Sequence, residues 1–129
     1  MGDRAVIQFM ETPTDETPVN LYMHWGGHSR YEALAGALEK ARPRWTDPSY
    51  ATRICISQII GTGWNEETGF GISAGDLNYV SPDYDDIPCV VWSTRQVYIN
   101  KTNSVEVIDF EKFIELCDFS ELHSWVSVR

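Results

Sequence analysis

The segment Asn20-Leu21-Tyr22-Met23-His24-Trp25-Gly26-Gly27-His28-Ser29-Arg30-Tyr31-Glu32 most constrains how this chain folds. An apolar, β-prone run meets two glycines and then a helix start signal, so strand must pass to helix through a tight turn. Ser29 and Glu32 have the S-x-x-E spacing of a capping box, in which the hydroxyl and the carboxylate each satisfy an exposed amide. Gly26 and Gly27 let backbone approach a ligand closely, and unpaired amides at a helix start attract anions, with Arg30 adding charge. This turn is the best anion site that the sequence offers.

The rest of the chain supplies partners for that unit. Arg4 to Met10 reads as a first strand, and Glu11 to Pro18, with three threonines and two prolines, as the turn leading to a second strand over Val19 to Trp25. Tyr31, Leu34, Ala35, Leu38 and Ala41 form the stripe of an amphipathic helix that Pro43 ends. Asp47 and Pro48 open a second helix running to Ile60, closed by Gly61. Tyr50, Ile54, Ile56, Ile59 and Ile60 predict that this helix is the more deeply buried of the two. Short β-prone runs follow at Gly69–Ala74, Asn78–Val80, Cys89–Ser93, Gln96–Asn100 and Val105–Ile108, with a hairpin turn at Thr94 and Arg95. Asp109 then caps a last helix, Phe110 to Cys117. The predicted fold is a single α+β domain over residues 1–129: a mainly antiparallel sheet, two helices inserted after the first strand pair, and a short C-terminal helix.

Charge and cysteine content narrow the function classes. The net charge of −9 is uneven: residues 1–60 hold six Lys/Arg against seven Asp/Glu, and residues 61–129 hold four against twelve. That balance opposes binding to a nucleic acid polymer, which needs a basic face, but leaves room for a small phosphorylated ligand. Basic residues gather at Arg30, Lys40, Arg42, Arg44 and Arg53, a pattern that a solvated helix face also explains. No apolar run is long enough to span a membrane and no leader pattern is present, so the expected location is the cytoplasm, that of the host cell if the chain is phage-encoded. Cys55, Cys89 and Cys117 are far apart, as buried, reduced thiols would be.

The chemistry-bearing patterns are each weak. His24 and His28 have a zinc-like spacing, but the glycines between them break the helix that such a site needs, so no metal is expected. Gly69-Phe70-Gly71 lacks the helix and lysine of a phosphate loop. Asp83, Asp85 and Asp86 flank Tyr84 as a solvated acidic turn or a hard-cation ligand set, without the spacing of an EF-hand. No nucleophile pattern occurs, and His123 near Cys117 does not make one. Trp25, Phe70, Tyr79 and Trp92 are either core or stacking surfaces for a base, with Trp25 beside the glycine turn.

The segments Gly2-Asp3-Arg4-Ala5-Val6-Ile7, Leu21-Tyr22-Met23-His24-Trp25-Gly26-Gly27 and Thr68-Gly69-Phe70-Gly71-Ile72-Ser73 resemble small proteins of phages and prophages, and among characterised groups the Thoeris anti-defence sponge proteins. The resemblance implies a non-enzymatic homo-oligomer, without cofactor, that sequesters a cyclic ADP-ribose isomer and in some members other cyclic nucleotides. It implies Trp25, Phe70, Asn78 and Arg95 as stacking and polar groups around that ligand. The residues themselves add Gly26, Gly27 and Arg30 for the pyrophosphate, and Arg53 for a second nucleotide site. Two other readings remain at this stage: an acidic interaction module that inhibits a basic partner protein, and a small hydrolase acting through His24 or His28.

Overall fold

A computed structural model describes residues 3–75, 83–84, 86–101 and 103–118. The strand at 78–80, Asn78, Tyr79, Asp85 and His123 lie outside the described residues. Six strands, β1 (Ala5–Met10), β2 (Val19–Met23), β3 (Phe70–Ala74), β4 (Ile87–Val91), β5 (Gln96–Asn100) and β6 (Val105–Asp109), form one sheet in the order β3-β2-β1-β4-β5-β6. Helices α1 (Arg30–Ala41) and α2 (Pro48–Ile60) come between β2 and β3, and α3 (Phe110–Asp118) follows β6. This is an α+β fold with the helix insertion and terminal helix that the sequence predicts. The sheet is mixed: β1 and β4 are parallel, and the other four pairings are antiparallel.

Strand alternation sorts the two faces. Ile7, Phe9, Leu21, Met23, Val90, Val97, Ile99 and Ile108 point to the helices and join Tyr31, Leu34, Leu38, Cys55, Phe110 and Phe113 in one core. The other face carries a polar row across three strands, in which the Gln8 amide donates to Asn20 and the Asn20 amide to Ser73 and the Gly75 carbonyl.

Helix boundaries follow the punctuation in the sequence. Asp47 and Pro48 start α2, and Gly61 ends it with φ 58° and ψ −122°, a conformation glycine adopts without a Cβ clash. Ser29 is the N-cap of α1, but its hydroxyl donates to the Gly26 carbonyl instead of accepting from a helix amide, so the serine half of the capping box does not form. Burial of the helices reverses the expectation. Seven of the twelve α1 residues are buried against four of the thirteen in α2, and Tyr50 is exposed, because α1 lies between α2 and α3 and has neighbours on both flanks. All three cysteines are buried and free. Burial pushes the Cys55 and Cys89 thiols up to about 12.

Candidate functional site

The structure sends the predicted site residues to opposite ends of the sheet. Trp25, Gly26, Gly27 and Arg30 follow the C-terminal end of β2, and Phe70, paired in register with Met23, lies at that same end. Trp25 is 63% exposed and its ring meets His24 edge-on at 4.4 Å. Phe70 packs on the core and beside Gly63, where an added Cβ would lie 3.1 Å from its ring. Asn78 lies outside the described residues.

Arg30 is not an open anion donor, which corrects the expectation for the glycine turn. It is 4% exposed, and its guanidinium donates to Asp86 at 2.6 Å and to the Gly27 carbonyl at 2.8 Å. The Tyr31 and Tyr84 rings sandwich it at 4.5 and 4.1 Å. The Tyr31 hydroxyl also donates to Asp86, and burial, then that hydrogen bond, pushes its pKa up. The acidic turn is thus an internal tie: Asp83 accepts from the Arg4 amide and guanidinium, and the Tyr84 hydroxyl donates to Asp3, which also pairs with His28. Gly27 serves packing here, because a Cβ on it would sit 2.6 Å from the Asp3 carbonyl oxygen and 2.7 Å from the Tyr84 ring. His24 and His28 turn to different partners, the Tyr22 hydroxyl and Asp3.

Arg53 and Arg95 lie toward the other end, in two adjacent recesses. A groove of about 610 Å³ opens between the sheet and α2, its lining running from Asp47 to Trp64 beyond the helix end. Its volume lies within the roughly 300–1,000 Å³ of small-molecule sites. Phe9, Val19, Ile56, Ile72 and Trp92 give it an apolar lining, and Thr52, Arg53 and Trp64 bring polar and aromatic groups. Trp64 belongs to the 3-10 turn Gly61–Asn65 after α2 and is 50% exposed. Trp92 is fixed: its indole N–H donates to Thr52 at 2.9 Å, its ring stacks on Phe9 at 6.5 Å, and Phe110 meets it edge-on at 5.5 Å.

Beyond Trp92 the groove adjoins a second recess of about 280 Å³ that includes Trp45, Thr46 and Arg95 and shares Glu11, Pro48 and Trp92 with the first. Arg95 holds φ 54°, the one positive φ outside glycine among the described residues, at the end of the β4–β5 turn.

Partnering separates these arginines from the others. Among the described residues Arg4, Arg30 and Arg42 are ion-paired and Arg44 lies over the Tyr50 ring, whereas Arg53 and Arg95 have neither kind of partner. In a chain of net charge −9, the two arginines without such a partner among the described residues line two adjacent recesses. Three carboxylates also line it. Asp15 accepts from the Glu11 and Thr17 amides, bonds that hold it below the usual carboxylate range, and Asp47 accepts from Ser49, while Glu11 is exposed.

Sequence reasoning assigned Arg53 and Arg95 to ligands but put them in separate sites, and it missed Trp64. The available signal was a tryptophan in the glycine-rich connection Gly61-Thr62-Gly63-Trp64, where a short link between elements has little core to bury it. Among the described residues no group of acidic, histidine and cysteine side chains is arranged to hold a metal ion, and no helix is long and apolar enough to cross a membrane. Comparison with protein-family models, curated proteins and solved structures returns no match.

Proposed function

We propose that this chain is a binding protein that holds a nucleotide-type ligand in the Arg53–Trp64 groove and sequesters it without turnover. One observation carries the reading: an unpaired arginine and a half-exposed tryptophan border the same apolar-lined groove alongside a helix. Each part of a nucleotide has a counterpart there. The Trp64 indole offers a stacking face for a base. The Arg53 guanidinium suits a phosphoryl group, which it can bind through two parallel N–H bonds. Glu11 and Asp47 are acceptors for ribose hydroxyls. Sequestration by an anti-defence sponge, as the sequence resemblance implies, makes a cyclic ADP-ribose isomer the first compound to try.

The test is mass analysis of what heat releases from purified protein after incubation with cyclic ADP-ribose isomers and cyclic dinucleotides. The reading predicts one intact compound, lost in Trp64→Ala and Arg53→Gln and retained in Trp25→Ala. A cleaved product identifies an enzyme instead. Retention of no compound, or loss in Trp25→Ala alone, overturns the assignment of the groove.

A further inference from the structure

We infer that among nucleotide-type ligands the site favours one with two separated anionic groups, as in a dinucleotide and unlike the joined pyrophosphate of a cyclic ADP-ribose isomer, and that such a ligand reaches past Trp92 with one phosphoryl group on Arg53 and the other on Arg95. The inference rests on the nucleotide reading above and extends it to the second recess. Two observations support it. The recesses are adjacent, sharing Glu11, Pro48 and Trp92 in their linings, with volumes of about 610 and 280 Å³. Each also contains one arginine without a partner.

The backbone at Arg95 sharpens the point. Its φ of 54° lies where glycine is at ease and a residue with a Cβ is strained, so folding alone favours glycine at this turn. Arg95 lines the second recess while carrying that local penalty, and an observed outlier of this kind is a physical reason to look for a ligand. Trp92, 3% exposed and held by Thr52, Phe9 and Phe110, is a fixed wall that both recesses share. A ligand reaching past it gains the second contact with little further loss of freedom, which is the logic of bivalent attachment.

The experiment is calorimetric titration of the full chain with AMP and with the linear dinucleotide 5′-phosphoadenylyl-adenosine, for wild type, Arg53→Gln, Arg95→Gln and Arg95→Gly. The dinucleotide is expected to bind at least tenfold more tightly than AMP. Both Arg95 variants should remove that advantage while leaving AMP affinity within twofold, and Arg53→Gln should weaken both ligands. Arg95→Gly should also melt no lower than wild type, which separates loss of the contact from loss of fold. Equal binding of AMP and the dinucleotide, with Arg53→Gln weakening both, overturns the two-recess inference and leaves the nucleotide reading standing. Binding of neither compound overturns the two-recess inference, and the heat-release assay above then decides the nucleotide reading separately.

Discussion

Gly27 and Gly36 show how differently two glycines of one turn-helix unit respond to an added methyl group. At Gly27 the new Cβ meets the Asp3 carbonyl and the Tyr84 ring, and the carbonyl is backbone that accepts from the Gly27 amide, so it cannot simply move aside. Gly27→Ala is therefore expected to destabilise by about 1–3 kcal/mol, as overpacking does. Gly36 lies within α1 with open space where its Cβ would stand, and Gly36→Ala should stabilise by about 0.5–1 kcal/mol. Urea unfolding of the two variants checks both signs. Arg95→Gly belongs with Gly36→Ala: relief of the left-handed backbone is expected to raise stability, by about 1 kcal/mol at most once the entropy of glycine is counted. The acidic side chains of the internal tie set a pH dependence. The Arg4 guanidinium and amide hold Asp83 below the usual carboxylate range, and the Tyr84 hydroxyl and His28 do the same for Asp3. A carboxylate whose pKa is depressed on folding contributes stability above its unfolded value, about 3.9, and loses it as pH falls through the folded value. The urea midpoint should thus fall below about pH 4, and Asp83→Asn should make that fall shallower. An unchanged slope in the variant would show that Asp83 has no part in the acid response.

Tyr84 and Asp86 act with the start of α1 as one element. Arg30, buried between two tyrosine rings, is held by a carboxylate 56 residues away in sequence. Removing one partner of a buried pair leaves the other charge without compensation, so Asp86→Ala is expected to cost about 3 kcal/mol in chemical denaturation. A loss near that of an exposed ion pair, under about 1 kcal/mol, would show that solvent or another side chain takes over. Elements with local punctuation were legible before the structure. Asp47-Pro48 and Gly61 bound α2 where predicted, and the β4–β5 hairpin turns at Thr94 and Arg95. Features that depend on distant partners were not. The acidic turn shows its charge in the sequence but not Arg4 or Arg30 opposite it, and the isoleucines of α2 do not reveal that α1 occupies the middle of the helix layer.

At the scale of the whole molecule, the parallel pairing of β1 with β4 decides what becomes a site. It brings the end of β4, with Trp92 and the turn containing Arg95, beside the end of β1, and the Trp92 indole then bonds to Thr52 near the start of α2. Arg53 and Arg95 come to line adjacent recesses through that long-range pairing, which no local pattern encodes, whereas β1 and β2 run antiparallel and leave Trp25 at the far end. For the rival in which the acidic C-terminal half docks on a basic protein, Asp83, Asp86 and Glu111 of that half already have partners within the chain, while Glu66 and Glu67 are exposed. Docking by charge also weakens steeply with ionic strength, and a stacked ligand in a groove does so far less. The most direct test of the groove as the binding site is to follow the indole N–H resonances of the five tryptophans by NMR during titration with AMP. The account predicts that Trp64 and Trp92 shift and Trp25 stays in place. Movement of Trp25 with Trp64 and Trp92 unmoved would contradict it and return the site to the glycine turn.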